Sequence, residues 1–372
     1  MLCMILVSCT GQKTGKENDN NDKIAIEVGE IKFPPQDVLQ LKSYYLSSSV
    51  HVDSIDYLIG YNYRLHSLDC MNLKSKSVTQ IVLPGDGPDA IVRLSGIYAQ
   101  SLDSVWISDE SERAFLIDSV GTIKRMIDLK KYLEDQEQLL INTSYAMFTS
   151  HLFYNASRHS LMFLVKHTPS NTFIVKEAFI DEVGKMATYQ LSSSKVVPDM
   201  SKGYAYINFP NVNFVGENIV YNYPVESSIY MLDIRTNERK YILADSHYTS
   251  NIIEKCTTSG DYATLEKHWL ENSHFYDIMY LPKYKIYARL HADRVDFDEK
   301  KGMEKLINER DLYLMLFDEN MEKIGETKLS NCRYSPFTSW NATYGGIALF
   351  VDNVLDEKNN TDDLTIDIIS LK

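Results

Sequence analysis

Cysteine is scarce in this chain, with five in 372 residues, and two of those, Cys3 and Cys9, lie at the extreme N-terminus. The other three, Cys70, Cys256 and Cys332, are scattered singly, which excludes a disulfide framework and any CxxC metal pair and leaves buried thiols as the reading. Past the N-terminal stretch no apolar run is long enough to span a bilayer. Basic charge is in deficit: 38 Lys and Arg stand against 51 Asp and Glu, a formal charge of −13. That balance argues against a nucleic-acid partner, whose phosphates would be repelled, and otherwise serves solubility. Catalytic and metal motifs are missing as well. There is no G-x-S-x-G elbow, no phosphate loop and no repeated Asp-box hairpin. His268 and His274 flank Glu271 without HExxH or other ligand spacing, and Asp293-Asp296-Asp298-Glu299 and Asp356-Glu357…Asp362-Asp363 lack the alternating ligand pattern of a calcium loop. No metal and no cofactor is expected. His151, His159 and His167, spaced by eight across an expected hairpin, read as scaffold.

What is present begins at the N-terminus. The first eight residues are mostly apolar, and Leu6-Val7-Ser8-Cys9 resembles the lipobox of bacterial lipoprotein signal peptides. The resemblance implies cleavage before Cys9 and lipid on its thiol and new amino group. Residues 10–23 are rich in Gly, Lys, Asn and Asp, with almost nothing to bury, and read as a disordered polar tether. The expected organisation is a signal peptide over 1–9, the tether over 10–23, and one folded domain over 24–372.

That domain is repetitive. Five places carry an apolar pair followed by Asp, at Asp69, Asp118, Asp181, Asp233 and Asp318, each leading through a polar turn into an alternating segment that ends in Leu 10 to 14 residues later. Alternation bounded by turn residues is the hairpin pattern, and an Asp at a strand exit can accept bonds from nearby backbone N–H groups. A β-prone run precedes each Asp, as in Tyr57–Tyr61, Val105–Ile107 and Leu161–Val165, and a weaker strand precedes that. Four antiparallel strands per unit, repeated radially, compose a β-propeller blade. The sixth unit, Gly346–Val351 and Leu364–Ile369, lacks a last strand before Lys372. Ile24–Ile31 alternates and is available to supply it, closing the ring and covering an edge. The fold class is therefore all-β: a six-bladed propeller of four-stranded antiparallel blades, its N-terminal strand completing the last blade. A sandwich would need only roughly seven to nine strands.

With strands numbered outward from the axis, blade-to-blade links and second-to-third-strand links share one face. All the long connections fall in those classes: 85–90, 130–144, 244–273, 291–310 and 352–363. Function is expected on that face, because loops on a rigid scaffold carry it. Asp261 is placed to cap a small helix over 262–271 between blades 4 and 5, with Tyr262, Leu265 and Trp269 on one stripe. The charged segment 293–310 reads as a solvated excursion, partly helical. Candidate binding residues are Trp269, His274, Tyr276, Arg289, Trp340 and Asn341. The aromatic members suit sugar stacking, although burial is the commoner fate of Trp. Gly85, Gly87 and Pro88 form a structural loop, its glycines allowing a tight turn.

The lipobox, the loop Gly85-Asp86-Gly87-Pro88-Asp89-Ala90-Ile91, the strand Asp103–Ile107 and the hairpin Leu116–Gly121 together resemble the six-bladed propeller lipoproteins of gut Bacteroidales, a large group catalogued as a domain of unknown function. The segments 271–275 and 287–289 fit the same family pattern; Asp89-Ala90 departs from the usual acidic residue there. The resemblance implies the fold and anchoring in the cell envelope, on the periplasmic or the surface side of the outer membrane, and brings no catalytic residues. Two functions follow as expectations. The first is a monomeric, lipid-anchored, non-catalytic binding or scaffold protein whose insertion-rich face takes a glycan, a peptide or an envelope protein. The second is a polysaccharide hydrolase or lyase with carboxylates near the axis.

Overall fold

A computed structural model describes residues 25–372, apart from 36–38, 40, 142–147, 183, 197–203, 205–206, 257–260 and 360–361. The signal peptide, Cys9 and the tether lie outside the described residues. The first strand, β1 (Ile26–Phe33), belongs to the last blade. Blade 1 follows as β2 (Ser47–Val52), β3 (Ile55–Asn62), β4 (Ser67–Asn72) and β5 (Val78–Val82), and blade 2 as β6 (Leu94–Ser101), β7 (Ser104–Asp109), β8 (Arg113–Ile117) and β9 (Ile123–Asp128). Blade 3 has β10 (Glu137–Leu139), β11 (Phe153–Asn155), β12 (Ser160–His167), β13 (Thr172–Phe179) and β14 (Met186–Gln190). Blade 4 has β15 (Asn211–Val215), β16 (Asn218–Asn222), β17 (Ile229–Asp233) and β18 (Arg239–Ile242). A helix, α1 (Tyr262–Leu270), then leads to blade 5: β19 (His274–Leu281), β20 (Ile286–Ala292), a second helix α2 (Met303–Asn308), β21 (Leu312–Phe317) and β22 (Lys323–Lys328). Blade 6 is β23 (Trp340–Ala342), β24 (Ile347–Phe350) and β25 (Leu364–Leu371), finished by β1. Six blades and terminal closure are as the repeat predicts.

The turn chemistry explains why these hairpins form. Asp118 accepts the N–H groups of Val120 and Thr122, Asp233 those of Arg235 and Thr236, and Asp318 those of Asn320 and Glu322. Blade 1 departs from the expected pattern. Its turn residue is Asn72, which accepts from Lys74 and Ser75, while Asp69 sits inside the sheet, fully buried. The spacing contains the reason: Asp69 is 14 residues from Leu83, whereas Asn72 is 11 from it, the same interval as Asp118 to Leu129. Asp69 instead accepts from Tyr44, Asn62 and Gln80, and Tyr44 packs its ring against Gly60, where a Cβ would lie 2.3 Å from it.

Blade 3 carries the other departure. Its innermost position is shared by β10 and β11, which both pair with β12, and the chain leaves the blade between them. Part of that excursion, Thr149–Leu152, runs beside β15 of blade 4: Val212 N–H donates to the Thr149 carbonyl (2.7 Å) and Thr149 N–H to Asn211 Oδ1 (2.7 Å).

The core lies between blades, where apolar faces of neighbouring sheets meet, as in the cluster shared by Ile59, Leu68, Ile97, Ile107 and Phe115 of blades 1 and 2. Closure is the same kind of contact. β1 pairs with β25 over eight positions, from Ile26 opposite Leu371 to Phe33 opposite Leu364. Arg333 clamps the joint, bonding Asp367 through two nitrogens and Glu30 at 2.9 Å, with Tyr334 donating to Asp367 at 2.7 Å. Phe33 is fully buried with Tyr44, Leu58 and Phe350, so it ties blade 6 to blade 1. Phe33→Ala should therefore lower the unfolding free energy by about 3 kcal/mol. Urea denaturation checks this; a loss under about 1 kcal/mol would show that β1 does not carry ring closure.

Candidate functional site

The insertion-rich face is built on α1 and α2. Asp261 stands at the N-cap of α1 and accepts the Thr264 hydroxyl (2.6 Å) rather than a backbone N–H. Of the expected stripe, Leu265 is buried and Trp269 half-buried, but Tyr262 is exposed. The charged segment is not a solvated excursion. Leu306 and Ile307 of α2 bury against Leu270, with Val295, Phe297 and Phe337 around them, so the two insertions share a small core. Its keystone is Arg310, buried, which donates to the carbonyls of Asp293 (2.7 Å), Asn272 (2.7 Å) and Trp269 (3.3 Å) and stacks 4.9 Å over the Trp269 ring. Guanidinium hydrogen bonds satisfy strand and helix ends here, since Arg offers five donors in a fixed fork.

A second anchor fixes the base of the 244–273 insertion. Glu326, buried in β22, accepts from Ser246 Oγ (2.5 Å), His247 N–H (3.0 Å) and His291 Nε2 (2.8 Å). Burial pushes the Glu326 carboxyl up, but the hydrogen bonds from His291, Ser246 and His247 outweigh it and bring it down to about 2. Burial likewise pulls His291 below the ordinary imidazole range.

Between α1 and the 291–310 insertion lies a cleft of about 700 Å³. Glu254, Glu271 and Asp296 line it beside Lys255, Lys267 and Arg294, with Asn272, Ser250 and Thr264 among them. Among the described residues no Phe, Tyr or Trp lines it. Two lining residues, His268 and Ser273, are buried, yet His268 Nδ1 and Ser273 Oγ lack hydrogen-bond partners among the described residues. His268 spends its other nitrogen on the Glu254 carbonyl (2.6 Å).

A different cavity, about 310 Å³, lies on the axis and is lined by the innermost strands of all six blades. Its mouth includes Gly216 and Pro282, at first-to-second-strand turns, so it opens on the face opposite the insertions. At its inner end His151 Nε2 bonds Asp277 Oδ2 (2.9 Å), and Trp340 Nε1–H donates to Asp277 Oδ1 (2.7 Å). This lock joins blades 3, 5 and 6. Asp277 lies where the β19–β20 register shifts, between Phe275 and Ile278, and is completely buried.

The six candidate residues from the sequence do not meet in one pocket. Trp269 lies over Phe337 and donates to His274 Nδ1 (3.2 Å). His274 is buried, and burial pushes its pKa well below the usual value. Tyr276, buried, donates to the Pro336 carbonyl (3.1 Å). Arg289 is fully buried between Phe275 and Phe317, bonded to the carbonyls of Ser227 and Ala244, and burial draws its pKa down to about 9. Trp340 belongs to the lock. Asn341 lines the axial cavity and donates to Ser47 Oγ (2.6 Å). Gly87 adopts φ +90°, the left-handed region glycine tolerates, in an exposed turn closed by Ala90 N–H on the Gly87 carbonyl, with Gly85 and Pro88 exposed beside it. Sequence reasoning named His151 only as scaffold and missed Asp277, Arg310, Lys255 and Arg294. The one available signal was Asp277, a carboxylate inside a strand nearest the axis; His151 lies outside the hairpin expected for it.

Among the described residues no group of three or more His, Cys, Asp or Glu is arranged to hold a metal ion, and no helix is long and apolar enough to cross a membrane.

Glu326 makes a pH prediction. A carboxyl depressed in the folded state stabilises above its unfolded pKa, here 4.5, and that contribution is lost as pH falls towards about 2. The melting temperature of the wild type should fall more steeply between about pH 5 and about pH 3 than that of Glu326→Gln. Equal slopes in thermal melts would remove Glu326 as the acid-sensitive anchor.

With this geometry in place, comparison with known proteins is informative. Residues 17–328 match the family described as a domain of unknown function (DUF4221). The chain is similar to the crystal structure of a member of that family from Bacteroides vulgatus, with a TM-score of 0.74 at 14% identity, covering 95% of this chain and 99% of the other. It is also similar to a protein from Bacteroides fragilis, with a TM-score of 0.49 at 12% identity over 93% and 95% of the two chains. No curated protein matches it. The match over most of its length makes the chain a member of the DUF4221 family, and its fold is the six-bladed propeller.

Proposed function

We propose that this propeller is a non-catalytic binding protein of the cell envelope, held by lipid on Cys9, and that the cleft between its two helical insertions seats a peptide segment of a partner. The observation that carries the reading is the lining of that cleft, three carboxylates and three cations without an aromatic platform. Peptides present both charges together with N–H and C=O groups, whereas sugar recognition calls for an apolar ring face to stack on. Lys255 and Arg294 are exposed and have no carboxylate partner among the described residues. A catalytic reading has less support: Asp277, the carboxylate behind the cavity-lining His151, is already bonded to His151 and Trp340.

An array of mixed-charge decapeptides, probed with the purified protein, tests the site. Lys255→Glu with Arg294→Glu should weaken the captured peptides at least about tenfold, the equivalent of two surface charge contacts reversed. Undiminished capture by the double variant, or capture on a glycan array and on no peptide, would sink the proposal. The anchor is tested separately: Cys9→Ala should move the protein from the membrane fraction to the soluble fraction, and unchanged partitioning refutes lipidation.

A further inference from the structure

The axial cavity has a chemistry unlike that of the cleft, and it opens on the other face. We infer that it is a second binding site, for a single neutral sugar ring, free or at the end of a glycan. At about 310 Å³ it lies at the small end of ligand pockets, which start near about 300 Å³. In a chain of net charge −13, no Asp, Glu, Lys or Arg among the described residues lines it. A ligand recognised by charge, such as a phosphate or an amino acid, finds no counter-ion there.

The walls differ from one another. On blades 2 to 4 the rings of Tyr98, Phe153 and Phe214 form a connected series, Tyr98 edge-on to Phe153 and Phe153 stacked on Phe214, each pair with centroids 5.0 Å apart. On blades 1 and 6 the polar lining is hydroxyl and amide, from Ser47, Ser48, Ser49 and Asn341, with Ala342 beside them. A pyranose has matching sides, a C–H face that lies against the negative face of an aromatic ring and a rim of hydroxyls.

The polar atoms also have capacity left. Ser48 Oγ accepts from Ala99 N–H (3.2 Å), so its own proton is available to donate. Ser49 Oγ donates to the Ala342 carbonyl (2.5 Å), which leaves its lone pairs to accept. The Tyr98 hydroxyl has no hydrogen-bond partner among the described residues. His151 is 21% exposed, and with Nε2 committed to Asp277 its Nδ1 is the ring nitrogen left for a ligand. Since Asp277 is held in turn by Trp340, the imidazole is fixed before any ligand arrives, which limits the ordering cost of binding.

Saturation-transfer NMR and calorimetry on the purified full chain, with the methyl glycosides of glucose, galactose and mannose and with phenol as an aromatic comparator, test the inference. At least one glycoside should bind with saturation transferred to its ring C–H protons. Tyr98→Ala should weaken it by about tenfold, the upper end of one aromatic contact. Ala342→Phe, which fills the cavity while keeping every hydrogen bond named above, should abolish binding. Should Tyr98→Ala not fold by circular dichroism, Ser49→Val replaces it, with a loss expected there too. Absence of binding by all three glycosides, binding that survives Ala342→Phe, or binding of phenol alone would each overturn the assignment. None of these results touches the peptide array, which reads the opposite face.

Discussion

Everything in this molecule depends on one non-covalent seam, the pairing of β1 with β25. Five blades are each drawn from a continuous stretch of chain, but the sixth is completed by residues from opposite termini, so the ring closes only when eight residue pairs align. An open ring would leave β25 as a bare edge and strip apolar cover from Phe33, Tyr44 and Leu58. The polar clamp is placed where slippage would show: Arg333 reads one carboxylate on each partner strand, Asp367 and Glu30, and a one-residue slip of β1 would turn Glu30 to the other face of the sheet and break its contact.

Closure also creates the axis. Six innermost strands surround it, and at the inner end of the axial cavity a segment borrowed from blade 3 meets side chains of blades 5 and 6. The Thr149–Leu152 segment leaves blade 3, pairs with blade 4 and sends His151 to Asp277 of blade 5, which Trp340 of blade 6 holds from the other side. A buried carboxylate is tolerated there because hydrogen bonds from two other blades compensate its desolvation. The same device recurs at the rim, where Glu326 holds the base of one insertion and Arg310 the joint between two. Buried polar groups thus serve as fasteners between segments distant in sequence, while apolar contacts supply the blade-to-blade cohesion.

Much of the fold was legible because its information is local. Apolar alternation, Asp or Asn at the third-strand exit and the interval to the closing Leu recur in five of the six units, and even the misreading at Asp69 is corrected by that interval, which points to Asn72. The insertions were legible as departures from the repeat. Their interior was not: Leu306 and Ile307 lie in a segment dominated by charge, and only docking on Leu270 gives them something to bury against. The candidate site was legible as a face and scarcely at all as residues. Trp269, His274, Tyr276 and Arg289 have the chemistry of ligand contacts, but they are spent on packing and on carbonyl bonds within the face.

The sequence by itself determined the number of blades, the strand that closes the ring and the face on which the long connections gather, since each follows from periodicity within a few tens of residues. Tertiary structure alone decided which side chains meet. His151 and Asp277 are 126 positions apart, and their contact rests on a strand interrupted in blade 3 and a register shift in blade 5. Neither has a period, so no repeat in the chain could announce the axial cavity beside that contact.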